Sequence, residues 1–187
     1  SGSGKTTLLN LVGGLDGPTS GQVVVDGVDL GAAGATGRSR MRLNRLGFVF
    51  QAYNLVPVLS AYENAEMVML LQGVPEPERR RRVMAVLEEV GLKGMEDRRP
   101  NQLSGGQQQR VAVARAIASQ PALVLADEPT ANLDSHTADG LIETMKRLNT
   151  VQGVTFLFAT HDPKVMAQAR RVVRLVDGQV AEDHRVS

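Results

Sequence analysis

The first seven residues, Ser1, Gly2, Ser3, Gly4, Lys5, Thr6 and Thr7, are suited to holding phosphate. Small residues let backbone N–H groups close around phosphate oxygens without side-chain collision. Lys5 offers a positive charge to the outer phosphates and Thr6 offers a hydroxyl to a divalent cation. The stretch TTLLNLV then reads as a helix whose positive N-terminal end faces the anion. A glycine-rich linker ahead of an amphipathic helix is the plain alternative, and Lys-Thr directly after the glycines argues against it. Kinases, GTPases and transport ATPases share such a loop, so it points to a ligand class and not to a reaction. The full pattern G-x-x-x-x-G-K-[ST] has one more glycine, two positions ahead of Ser1, and a buried strand before it. The expectation is therefore a chain shortened at its N-terminus.

Two further stretches carry chemistry. PALVLADEPTANLD ends an apolar run in Asp127 and Glu128. Ligands of open parallel sheets gather at the carboxyl ends of strands, which would put both acids in the crevice of the phosphate loop. Asp127 suits Mg²⁺, directly or through water. Glu128 points elsewhere and suits polarising a water aimed at the γ-phosphate. A strand ending in a solvated acidic turn is the alternative. LSGGQQQRVAVARAIA places Ser104 as an N-cap before Gly105 and Gly106, whose backbone N–H groups open a helix. This is a second anion-binding helix end in a chain that already cradles one triphosphate. It makes sense if it closes over ATP held by another copy; glycines used for packing are the other reading.

Positioning these groups requires alternating strands and helices, and the chain has the pattern of an α/β layer fold. GQVVVDG, RLGFVFQ, PALVLAD, GVTFLFAT and RRVVRLVDG read as strands, the last turning back at Asp177-Gly178 into QVAED. ALVLAD and VTFLFAT are apolar nearly throughout, as central parallel strands covered on both faces are. Between Gln51 and Asn101 the texture turns helical. Ser60 is an N-cap with Glu63 as its capping-box partner, and Val83, Val86, Leu87 and Val90 form one apolar face. One domain is expected, with 1–51 and 121–187 as the nucleotide-binding core and about 52–120 as helical subdomain and signature helix.

At 187 residues with 42% hydrophobic and 22% charged residues, the composition is that of a globular domain, without a repeat period. A net charge of +1 gives no global field toward nucleic acid or an anionic surface. Cysteine is absent, which excludes disulfides and thiolate metal sites. Apolar runs such as MVMLL fall far short of the roughly 20 residues of a membrane helix, so membrane contact is expected to be indirect. Arg79–Arg82 read as a solvated helix start, and Met67, Met69, Met84 and Met95 as packing.

LSGGQ followed by QQR resembles the signature sequence of the ATP-binding-cassette superfamily. The other elements follow in that family's order: Gln51 in FVFQAYNLVP resembles its Q-loop glutamine, LADEP its Walker B strand, ANLD its D-loop, and His161 in FATHD its switch histidine. The resemblance spans essentially the whole chain. It implies a P-loop NTPase with a mostly parallel central sheet, flanking helices and an inserted helical subdomain. It further implies ATP hydrolysis with Mg²⁺ in a head-to-tail dimer. Lys5, Thr6 and the rest of residues 1–7 would bind nucleotide, and Thr6, Gln51 and Asp127 would serve the metal. Glu128 would be the general base, with Gln51 and His161 beside the water or γ-phosphate. Ser104, Gly105, Gly106 and Gln107 would cap the opposite nucleotide, and Asp134 would cross the dimer interface. Within the superfamily DEPTANLD and GFVFQAYNLVPVLSAYENAEM resemble lipoprotein-release and macrolide-export cassettes, with the cell-division cassette close by. The implied partner is a transmembrane permease, received near Ala52–Pro57, which would hold the chain at the cytoplasmic face of the membrane. A soluble cassette ATPase acting on nucleic acid or ribosomes is the competing function, disfavoured because no coiled coil fills the interval after Gln51. A kinase or GTPase leaves LSGGQ and ATHD unexplained.

Overall fold

The computed structural model describes residues 2–186. Its centre is a three-stranded parallel sheet of order β3–β4–β5, with β3 at Leu46–Val49, β4 at Leu123–Asp127 and β5 at Phe156–Ala159. The register pairs Val49 with Ala126 and Asp127 with Ala159, so three strand tips end side by side. Alternate residues of β4 face opposite layers. Val124 and Ala126 join the core formed with the helices after β3, while Leu125 packs with Leu9 and Ala159 on the other side. The near-continuous apolar character of this strand thus reflects cover on both faces.

Helix α1 (Lys5–Val12) lies on the second face through Leu9. Gly13 ends it where an added Cβ would meet Phe48 at 2.9 Å and Leu125 at 3.1 Å, so the helix exit sits directly against the sheet. Helix α5 (Gly105–Ile117) covers the first face, with Val111, Val113 and Ala114 inaccessible to solvent. Its close approach depends on Gly47, where a Cβ would run into the Ala116 carbonyl.

Between β3 and α5 lie α3 (Ala61–Leu71), α4 (Glu76–Glu89) and a short 3-10 turn at Pro100–Gln102. The Ser60–Glu63 capping box is formed as its spacing predicts, satisfying backbone groups at the start of α3. Val83, Leu87 and Val90 are fully buried, and Met69 and Met95 pack into the same core. The arginine run differs from a uniformly solvated face. Arg79 donates to Glu66 at 2.9 Å with both side chains mostly covered, and Arg81 and Arg82 both engage Glu78, holding its carboxyl down at about 2.

The N-terminal strand is shorter than its sequence pattern. Asp26 and Gly27 have positive φ and turn the chain, so that GQVVVDG contributes only β1 (Val24–Val25), paired in a small hairpin with β2 (Val28–Asp29) just beyond it. Helix α2 (Gly34–Arg45) follows in a segment whose composition gives little apolar signal, since only Met41 is buried. Helix α6 (Ser135–Gln152) bridges β4 to β5, its buried stripe being Ala138, Leu141, Met145 and Leu148. After the short α7 (Pro163–Gln168), the expected hairpin forms from β6 (Arg171–Val176) and β7 (Gln179–Arg185). Its turn reaches the start of α1, where Gly178 donates a backbone hydrogen bond to Ser3 at 3.2 Å.

Candidate functional site

The phosphate-loop residues lead into α1 as the sequence predicts, with Ser1 outside the described residues. Gly2 and Gly4 adopt φ of 86° and 92°, the left-handed region in which a side chain is strained. Gly4 is the N-cap of α1 and offers no side-chain acceptor, so no side chain of the cap occupies the first-turn N–H groups. Lys5 Nζ rests on Ser3 Oγ at 3.1 Å, which keeps the ammonium over the loop. Thr7 is exposed beside it.

The tips of β4 and β5 bring the acids to this helix end. Thr6 Oγ1 lies 3.4 Å from Asp127 Oδ2, a contact across 121 residues of chain. Burial raises the Asp127 carboxyl above the usual aspartate range, and the charge of Glu128 adds to this, while the Thr6 hydroxyl and Lys5 oppose it. Two hard oxygen ligands, an alcohol and a carboxylate, fit a small cation that keeps several waters and phosphate oxygens in its shell.

Glu128 is held in a strained shape. Its φ is 45°, a left-handed conformation that costs a non-glycine residue about 1–2 kcal/mol. Its N–H donates to the Ala159 carbonyl at 2.8 Å, extending the ladder beyond Asp127. The carboxylate is mostly covered and accepts from two neighbours: Thr160 Oγ1 at 3.3 Å on Oε2, and His161 Nδ1 at 2.7 Å on Oε1. A carboxylate only accepts, so Nδ1 carries the hydrogen, and in a neutral ring Nε2 is left as an acceptor. His161 in this conformer thus serves Glu128; gripping a phosphate through Nε2 requires the ring to turn or to gain a proton.

Gln51, two residues past β3, is paired with Asn132 in the loop after β4. Its Nε2 lies 3.4 Å from Asn132 Oδ1, and Asn132 Nδ2 donates to the Gln51 carbonyl at 3.0 Å. Asp134 caps α6, accepting from the Thr137 N–H at 3.0 Å.

The signature stretch is placed differently from the phosphate loop. Ser104 Oγ accepts from Gln107 N at 3.3 Å and Gln107 Oε1 accepts from Ser104 N at 2.9 Å, a closed capping box. Gly106 is buried against Thr137 of α6, which a Cβ would overlap, and Gly105 sits under the Tyr53 hydroxyl. The glycines therefore have a packing role in addition to any ligand role, and among the described residues no hydrogen bond joins this helix start to the phosphate loop.

Four residues escaped the sequence reading. Thr160 was legible as a hydroxyl between Ala159 and His161, whereas Asn132, Gln109 and Arg115 lie inside stretches whose spacing says only turn or buried helix. Arg115, desolvated and with its basicity lowered by burial, donates to the carbonyls of Asn54 and Tyr53 at 2.5 and 2.9 Å. Both acceptors have positive φ, so this arginine pins a strained loop just past Gln51.

The family model described as ABC transporter matches residues 1–131. The chain belongs to the ABC transporter family. The lipoprotein-releasing system ATP-binding protein LolD of Pseudomonas fluorescens is 48% identical over 180 residues, which are 96% of this cassette and 79% of LolD. The macrolide export ATP-binding/permease protein MacB of Syntrophobacter fumaroxidans is 48% identical over 96% of the cassette and 26% of MacB. Among solved structures, the dimeric post-hydrolysis state of the cassette MJ0796 bound to ADP and Pi superposes with a TM-score of 0.88 at 40% identity. That alignment covers 99% of this cassette and 82% of MJ0796. The expected P-loop α/β fold with a parallel sheet is thereby established.

Proposed function

We propose that this chain is the ATP-hydrolysing, energy-coupling subunit of a membrane transporter of the lipoprotein-release or macrolide-export type. Glu128 carries the reading. A strained, covered carboxylate, fixed by Thr160 and His161 at a strand tip beside Asp127 and the phosphate loop, is placed to accept a proton from a water approaching the γ-phosphate. Lys5 and the loop N–H groups bind the triphosphate, and preorganised charge rather than covalent chemistry lowers the barrier. Thr6 and Asp127, with Gln51, would hold Mg²⁺, whose contribution when bound is to neutralise charge on the phosphate oxygens.

Two copies are proposed to act head to tail, Ser104, Gly105, Gly106 and Gln107 of each closing over the nucleotide of the other, with Asp134 at the interface. The dimeric state in which MJ0796 was solved supports this arrangement. We read 1–51 and 121–187 as the nucleotide-binding core and about 52–120 as the helical subdomain with the signature helix. A groove of about 440 Å³, bounded by Leu43, Phe48, Phe50, Asn54, Val68 and Arg115, adjoins the segment after Gln51. It is the proposed seat of a permease, which would hold the chain at the cytoplasmic face of the membrane. No described helix is long and apolar enough to cross a membrane itself.

Glu128→Gln removes the proton acceptor and keeps the shape. ATP binding is expected to persist while turnover falls by at least about 100-fold; wild-type turnover in this variant would remove the assigned role.

A further inference from the structure

Gln109 has no part in the site as described, yet its side chain is fully buried at the point where three pieces of that site meet. It projects from α5, five residues after Ser104. Its Nε2 donates to the Pro129 carbonyl at 2.7 Å and lies 3.5 Å from the Phe50 carbonyl. Pro129 directly follows Glu128, and the Phe50 carbonyl belongs to the peptide bond entering Gln51. One amide group therefore ties the signature helix to the segments carrying both residues proposed to flank the attacking water. Its other end is unusual. Gln109 Oε1 is buried and has no hydrogen-bond partner among the described residues. An amide kept only to fill space would favour an apolar replacement of equal shape, since a buried orphan acceptor is unfavourable. The retained half is the donor half, and both its acceptors lie in catalytic loops.

We infer that Gln109 is a positioning residue that couples the orientation of the signature helix to the placement of Gln51 and Glu128. This rests on the catalytic reading proposed above. When α5 shifts as a second copy engages Ser104, the two carbonyls held by Gln109 shift with it. The loops at Gln51 and Glu128 then reach their reactive positions together. Arg115, six residues further along the same helix, strengthens the tie by holding the carbonyls of Tyr53 and Asn54.

The experiment compares Gln109→Met and Gln109→Glu with the wild type and with Glu128→Gln in the full chain, measuring Mg-ATP turnover, KM and thermal midpoint. Gln109→Met keeps the volume and removes the donor. The expected result is a kcat reduced at least tenfold with KM changed less than twofold in protein that melts cooperatively. A wild-type kcat in protein that melts cooperatively would overturn the inference. Should Gln109→Met not fold, Gln109→Glu decides. A buried carboxylate facing two carbonyls repels them, whereas the protonated acid donates to one. Activity should therefore rise toward acid pH relative to wild type, and a profile parallel to wild type would refute the coupling. Wild-type turnover in Glu128→Gln would instead break the catalytic reading itself, so the two failures are distinguishable.

Discussion

Helices α1 and α5 both start next to glycines, and their first turns are built to opposite ends. At α1, Gly4 is a cap without a side chain, preceded by backbone in the left-handed region, with Lys5 hovering over the opening. At α5, Ser104 and Gln107 satisfy each other in a capping box, and Gly106 is pressed against α6. The macrodipole favours an anion at both ends. Only the first leaves its cap position without a competing side chain. An anion can dock at α1 within one chain, whereas at α5 it must compete with a box the chain already closes. On the proposed function, the difference is that between a ligand cradle and a latch that engages when something outside the chain supplies enough interaction to reorganise it.

The largest effect that would sharpen this contrast is at Lys5. Lys5→Ala deletes the ammonium seated on the loop, and nucleotide affinity measured by titration of the single chain should fall by about 100-fold or more. Removing the capping hydroxyl with Ser104→Ala should leave that single-chain affinity within about twofold of wild type. Equal losses at the two positions would erase the distinction.

A smaller effect separates Asp127, proposed to serve the metal, from Glu128, proposed to serve the water. The Asp127 carboxyl titrates above its unfolded value, chiefly through burial. The folded chain thus holds that proton more tightly, and stability falls as pH rises from the unfolded value through the folded one, the penalty persisting at neutral pH. Asp127→Asn should raise the melting temperature of the nucleotide-free chain at neutral pH. The gain should disappear below the ordinary aspartate range, and Mg-dependent turnover should be lost. A variant less stable at neutral pH would show that the carboxylate is net favourable where it stands.

The legible parts of the molecule were those where a local rule fixes the residue type. Glycines before Lys5, the Ser60–Glu63 capping box, the continuous apolar run of β4 and the Asp177-Gly178 turn each follow from backbone requirements a short window displays. The unread parts depend on tertiary partners. Asn132 matters because Gln51 is opposite it, and Gln109 because two distant carbonyls converge on it; no spacing encodes either. GQVVVDG misled because its β-branched residues promise a longer strand than Asp26 and Gly27 permit. Helix α6 was not read from the sequence, although Leu141, Met145 and Leu148 recur at helical spacing behind the Asp134 cap.

The central claim is that the second helix start acts between chains. It is tested most directly by sedimentation of the Glu128→Gln protein with and without ATP, set beside the same protein carrying Ser104→Arg. The account predicts an ATP-dependent dimer for Glu128→Gln alone, and a monomer that still binds nucleotide once Ser104→Arg is added. A double variant that dimerises as before, or one that loses nucleotide binding as a monomer, would contradict it.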